Sequence, residues 1–358
     1  MKETLKKDKR LLTFTQAINE ALFQSMNKDP RIVIMGLGVT DPKGIFGTTL
    51  GLMERFGASR LFDMPVSENA MTGVAVGMAI SGMRPVMTHQ RADFMLMSTD
   101  QIINNAAKWH YMYGGRMSVP LTIRSIIGRG WGQGPQHSQN FQGLFAQIPG
   151  LKVVAPTTPY EAKGLLISSI EDNNPVIFVE HRWLSNQLGE VPQSYYSLPL
   201  GKANIMREGS DVTIVAVMDM ALEAVVVAEK LKSQGVSVEG VNLRTIKPLD
   251  EETILRSVSK TGRLLVLDSS WQSFGVSAEI AAMVVEKGFD LLNKKIKRLG
   301  LPDAPTPTSP ALSKYYYPSE AGICQAVGEL LDINVDVRKM GLRDFVNDVP
   351  DEYFKGPF

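Results

Sequence analysis

The sequence predicts an α/β protein of two units, each a mostly parallel sheet covered by helices. Three observations point there. Short apolar runs alternate with segments of helical period, twice over, as buried parallel strands joined by helices do. The stretch 181–210 breaks that rhythm with Pro192, Pro199 and polar residues. A length of 358 residues, 44% hydrophobic and 21% charged, is room for two or three ordinary domains.

Residues 1–12 read as a basic arm. Thr13 and Gln16 are spaced as a capping box, and Ala17, Ile18, Ala21, Leu22 and Met26 recur at helical spacing behind them. Asp29 and Pro30 end that helix, and 31–35 is a compact strand. Gly36–Gly47 is a glycine-rich loop, but Asp41 and Pro42 stand where a dinucleotide fingerprint needs its third glycine and a helix, so a Rossmann site is rejected. A strand is expected at 61–64, a helix at 69–82, a strand at 85–88, a helix from 99 to 112, strands at 119–124 and 152–155, a helix at 158–171 and a strand at 175–179. The second unit opens with a strand at 211–217 and a helix at 220–233. It continues with a strand at 236–241, a helix that Asp250 can cap, a strand at 263–267, a helix from 275, a strand at 296–299 and a last helix at 319–331. Residues 333–358 show no clear period. The domain reading is 1–190, a linker at 191–210, a second domain at 211–332 and an extension at 333–358.

Bulk composition excludes several function classes. Thirty-eight basic residues balance 37 acidic ones, so charge offers no reason to expect nucleic acid or an anionic membrane as a partner. The single cysteine, Cys324, rules out an internal disulfide framework and suits a cytoplasmic location. No signal peptide or membrane span is expected, and the four histidines form no metal-binding pattern.

The chain's organising stretch is 61–82. An apolar run turns at Pro65 and presents Glu68 at the start of a helix with no charged side chain between Ala70 and Met83. An acid held in such surroundings can share or donate a proton, because burial disfavours the charged form. The plain structural alternative is an acid that complements the helix dipole.

The order of motifs resembles a known family. Met64–Glu68, the Gly73/Gly77 helix, Arg84–Pro–Val, Asp100–Asn104, Ala106–Lys108, Tyr111–Gly115, Gln136–Gln139, Pro149–Pro156, Asp172–Pro175, Leu243–Asp250 and Phe274–Glu279 follow one another. Together, over about residues 12–330, they look like the beta subunit of the decarboxylating component of pyruvate and branched-chain 2-oxo acid dehydrogenases, a relative of transketolase. The resemblance implies a parallel-sheet domain binding the pyrimidine half of thiamine diphosphate, followed by a smaller α/β transketolase C-terminal domain. It also implies an alpha subunit, in an α2β2 tetramer, that supplies the diphosphate half of the site and holds Mg2+ at a Gly-Asp-Gly motif. This chain has no Gly-Asp-Gly, so it is read as half an active site.

By the same resemblance Glu68 is the cofactor-binding acid, hydrogen-bonded to a pyrimidine nitrogen so that the imino tautomer is favoured. Phe94, His89 and Gln90 lie beside the cofactor; for Phe94 the plain alternative is ordinary core packing. His137 stands near the reacting carbon, where it can orient an acyl intermediate or an incoming lipoyl group; alone, it reads as a surface histidine. The family also places a potassium ion on main-chain carbonyls that map to Leu121, Ser169, Ile170, Asp172 and Asn174. Such carbonyls leave little trace in a sequence, and an ordinary helix C-terminus satisfied by Asn173 or Asn174 is the alternative.

Departures cluster around the substrate channel. His89 stands where the family has an aromatic residue, Arg129, Trp131 and Gln133 where it is Ala-rich, and Trp109–His110 where it has Thr-Tyr. The expected reaction is decarboxylation of a 2-oxo acid with acylation of a lipoyl group, in association with a lipoyl acyltransferase. The rivals are a two-chain transketolase-like enzyme and a non-catalytic assembly subunit.

Overall fold

The computed structural model describes residues 10–130, 132–337, 340 and 341. Trp131, most of the arm at 1–12 and most of the extension at 333–358 lie outside the described residues.

The first sheet has seven strands in the order Thr245–Lys247, Lys152–Val154, Val176–His181, Thr122–Ile127, Arg84–His89, Ile32–Gly36, Leu61–Asp63. All neighbours are parallel except the first pair. Ile32–Gly36, Thr122–Ile127 and Val176–His181 are buried along their whole length; the first is a continuous apolar run, and the other two bury Arg124 and Glu180 as an ion pair with each other. Phe14–Lys28 packs on Pro159–Glu171, and Glu68–Ile80 packs on Leu96–Ser98 and Gln101–Ala106. The expected capping box at Thr13 and Gln16 is formed, and a second one joins Thr158 to Glu161.

The second sheet runs Lys297–Leu301, Leu264–Trp271, Val212–Ala216, Val238–Asn242, Asn204–Arg207, parallel but for the last pairing. Its edge strand Asn204–Arg207 lies inside the stretch read as linker. Half-buried throughout, it lacks the apolar run that marks a central strand. The strand expected at 119–124 is Thr122–Ile127: Pro120 has no N–H to give to a ladder, so pairing starts beyond it. The helix expected from 99 to 112 is a wider-wound turn, Gln101–Ala106, leading into Ala107–Met112.

The two units are not independent. Thr245–Lys247 leaves the second unit to pair with Lys152–Val154 at the edge of the first sheet. One apolar core runs from Ile18, Met87 and Phe178 through Val215, Val241 and Ile254. Across the seam, Glu161, 1% exposed, accepts from Arg244 Nε at 2.6 Å and from Asn242 Nδ2 while also capping its own helix. A buried acid is tolerated there because every lone pair has a donor.

Candidate active site

In a parallel sheet, ligands sit beyond the carboxyl ends of the strands, and the chemistry-bearing residues gather there. Leu61–Asp63 turns at Pro65 into the helix Glu68–Ile80, so Glu68 opens that helix at the sheet's carboxyl edge. Thr72 Oγ1 donates to the Glu68 carbonyl at 2.7 Å. No side chain of the described residues bonds the Glu68 carboxylate. The sequence suggested an acid sunk in apolar surroundings; within this chain Glu68 is only half-buried. The helix's outer face is uncovered here, with Val66 77% and Val74 47% exposed beside it.

His89 ends the strand Arg84–His89, and burial lowers its pKa to about 4, so the ring is neutral. Gln90 turns the other way. Its Nε2 donates to the Leu37 carbonyl and helps hold the glycine-rich loop, while Asp63 accepts from Val39 N and Thr40 Oγ1. Gly38 is required there: its φ is +73°, and a Cβ would come 2.7 Å from Gln90 Nε2.

Phe94 and His137 are brought together. Their rings meet edge to face at 5.4 Å, at 88°. Beside them Gln139 Nε2 donates to Asp93, whose proton affinity burial raises. Arg182 Nη2 donates to the His137 carbonyl at 3.0 Å and Nη1 to Gln133 Oε1 at 2.6 Å; Arg91 Nη2 shares the same Gln133 oxygen at 3.2 Å. His137 is thus held through its ring by Phe94 and through its backbone by Arg182.

Under that loop lies a buried seam between the domains. Arg129 is sandwiched between the rings of Trp183, at 3.7 Å, and Tyr317, at 3.6 Å. His181 Nδ1 accepts from Trp183 N, which leaves its proton on Nε2, 3.6 Å from Asp219 Oδ1. Burial with Arg129 and Arg182 nearby lowers the His181 pKa to about 3, and burial raises that of Asp219 to about 6 despite Arg129.

These shifts set the acid limb of stability. His89 and His181 take up protons in the unfolded chain near 6.5 but in the folded one only near 4 and 3, so stability is lost as pH falls through that window. Asp219 acts oppositely: the folded chain protonates first, so stability is gained as pH falls from about 6 towards 3.8. From these three groups alone, between pH 6 and 4, the expected contribution is a loss on the order of 1.4 kcal/mol per pH unit, one proton's worth; the buried Asp93 and Asp268, whose proton affinity burial also raises, oppose it. Asp219→Asn should make urea midpoints fall more steeply across that range than in the wild type; equal slopes for the two contradict the assignment of Asp219.

Of the five residues mapped to a potassium ion, Ile170 and Asp172 meet Arg84. Its Nη1 donates to the carbonyls of Ile170 and Asp172, both at 3.0 Å. Ser169 O accepts from Thr122 Oγ1, and Leu121 O from Val176 N. Asn174 is tied to Asp172 by its backbone N–H. Each carbonyl oxygen has a second lone pair, so the donor set suits a hard cation, although a guanidinium already serves two of its members. Among the described residues no cluster of His, Cys, Asp or Glu could hold a metal, and no helix is long and apolar enough to cross a membrane.

Arg91, Asp93, Ser125, Arg182 and Asp219 carry no motif, and sequence reasoning missed them as members of the site. The available signal was adjacency: Asp93 immediately precedes Phe94 with Arg91 two residues further back, and Arg182 follows the strand that ends at His181.

Residues 10–187 match the transketolase pyrimidine-binding domain and residues 201–323 the transketolase C-terminal domain. The chain is 42% identical to the beta subunit of acetoin:2,6-dichlorophenolindophenol oxidoreductase from Bacillus subtilis (strain 168), over 90% of this chain and 98% of that one. It is 39% identical to the pyruvate dehydrogenase E1 component subunit beta from Rickettsia felis (strain ATCC VR-1525 / URRWXCal2), over 88% and 97%. A solved structure described as a split gene transketolase, inactive beta4 tetramer, has the same fold, with a TM-score of 0.74 at 21% identity over 90% of this chain and 99% of that one. With both domains matched in order and relatives aligned over nearly their whole length, this chain belongs to the transketolase-like family of E1 beta subunits of the 2-oxo acid dehydrogenases.

Proposed function

We propose that the protein decarboxylates a 2-oxo acid and acylates a lipoyl group as the beta half of a thiamine diphosphate enzyme, complete only with an alpha subunit as α2β2. The observation that carries this reading is Glu68: a half-buried carboxylate without a side-chain partner, at the carboxyl edge of a parallel sheet, in a chain of this family. The residues fit the pyrimidine half of the cofactor, since neither the Glu68 carboxylate nor the buried His89 Nε2 has a side-chain partner among the described residues. Nothing in the sequence supplies a Gly-Asp-Gly for the diphosphate and Mg2+, which are assigned to the partner.

Thiamine diphosphate, when bound, supplies the electron sink for decarboxylation. Glu68 holds a hydrogen bond at a pyrimidine nitrogen, Phe94 and His89 line the ring, and Gln90 acts through the loop it braces. His137, fixed by Phe94 and Arg182, orients the acyl group or the lipoyl thiol. The domain at 1–190 carries the site; 211–332 serves assembly, joined through 191–210, with 333–358 as an extension. A cytoplasmic location is supported by the one cysteine, which is free and buried. The test is binding: the chain alone should hold thiamine diphosphate poorly and gain tight binding with its alpha subunit. Full turnover by the lone chain would overturn the proposal.

A second reading, ketol transfer to a sugar or other aldehyde, is favoured by the polar wall of Arg91, Asp93 and Gln133 around His137. Lipoyl-domain acylation measured against ketol transfer separates the two.

The potassium site belongs to the same proposal. At equal ionic strength, KCl is expected to raise the melting temperature above its value in choline chloride, through the free lone pairs around Arg84. Equal melting temperatures would remove the ion from this reading.

A further inference from the structure

Two buried polar atoms at the site's floor have no partner among the described residues. His89 is 3% exposed and Ser125 is fully buried, yet His89 Nε2 and Ser125 Oγ have no hydrogen-bond partner among the described residues. Leaving such groups unpaired is costly, and native chains rarely do it without a reason.

The two side chains are neighbours. His89 and Ser125 are register partners on adjacent parallel strands, so they project from the same face of the sheet. That face is the one beneath Glu68. Thr72 Oγ1 lies 3.3 Å from Met87 Sδ, which puts Met87, and with it His89 two residues on, under the helix Glu68–Ile80. In a strand–helix–strand unit the helix runs back against its strands. The four residues from Thr72 back to Glu68 climb about 6 Å. Two strand residues from Met87 to His89 climb about 6.6 Å in the same direction. His89 therefore reaches the level of Glu68, with Ser125 alongside.

We propose that His89 and Ser125 form a neutral polar floor that hydrogen-bonds an uncharged polar group, an amine, hydroxyl or carbonyl, of the small molecule held at Glu68. The inference deepens the proposed function and rests on it. Burial keeps the His89 ring neutral, so the pair suits an uncharged group and gives no charge to an anion. Two sources present that chemistry: the cofactor's aminopyrimidine and the substrate's own hydroxyl or carbonyl.

The test uses His89→Phe, which keeps a flat ring without the nitrogens, and Ser125→Ala, each purified with the alpha subunit and as the lone chain. Relief of an unpaired buried group is expected to raise the lone chain's melting temperature by about 2–4 °C for His89→Phe. In the complex, one lost hydrogen bond should weaken binding roughly three- to tenfold. A weaker Kd for thiamine diphosphate identifies the cofactor as the occupant; an unchanged Kd with a raised KM for pyruvate identifies the substrate. Ser125→Ala removes one small atom group and keeps the question open to refutation if the larger ring does not fit. Variants that leave both constants unchanged, or that lower stability without touching either, overturn the proposal. Glu68→Gln measured beside them reports on the parent reading: if it is inactive while His89→Phe and Ser125→Ala are silent, only the polar floor is lost.

Discussion

Glu68→Gln in the assembled enzyme is expected to lower turnover by about 10²–10⁴-fold, the range for a positioned acid–base group. The size of the effect comes from chemistry, since the fold loses nothing. The carboxylate bonds no side chain of the described residues, and the contact that anchors this turn, Thr72 Oγ1 to the residue 68 carbonyl, is a backbone contact that glutamine keeps. Stability should stay within about 0.5 kcal/mol of the parent, as for a surface change away from packing. Glutamine preserves length and shape but cannot hold a negative charge against a pyrimidine nitrogen. Steady-state turnover together with thermal denaturation checks both halves of the expectation. Unchanged turnover would remove Glu68 from the chemistry; lost turnover with lost stability would mean that the acid is structural.

Arg129→Ala should cost about 2–4 kcal/mol of stability and loosen the loop that carries His137. The guanidinium lies flat between Trp183, at the end of the first domain, and Tyr317, in the second. A desolvated cation–π contact is worth about 2 kcal/mol on each face. The same side chain sets the field at Asp219 and His181. The pinned segment leans on the loop: a Cβ at Gly132 would come 2.9 Å from the Thr308 carbonyl, and one at Gly134 would come 2.5 Å from Thr308 Oγ1. Loss of the pin is therefore expected to raise KM for the 2-oxo acid as well as to lower the urea midpoint. Arg129→Lys should recover less than half of the stability, because an ammonium has no second flat face to stack. A stability change below about 0.5 kcal/mol in Arg129→Ala would show that the sandwich holds nothing together.

Much of the fold was legible because its signals are local. Alternating apolar runs mark strands that are buried on both faces, and caps such as Thr13 and Asp250 mark helix starts within four residues. Where a signal depended on a distant partner it was invisible. Thr245–Lys247 is a strand only because Lys152–Val154 offers it an edge, and Asn204–Arg207 only because Val238–Asn242 does.

The candidate site divides the same way. Glu68, Phe94 and His137 were readable because the resemblance lives in runs of adjacent residues. What the chain alone could state was an α/β protein in two units and an acid at a helix start; the partner that holds a Gly-Asp-Gly came from the resemblance. Only the tertiary structure decided that Phe94 faces His137, that Arg182 and Gln133 brace it, that Arg129 is clamped between the domains, and that His89 and Ser125 stand unpaired side by side. The physical reason is range. Helix period, capping and strand alternation act over a few residues, whereas ring contacts, ion fields and unmet hydrogen bonds arise between groups that only the packed core brings within a few ångströms.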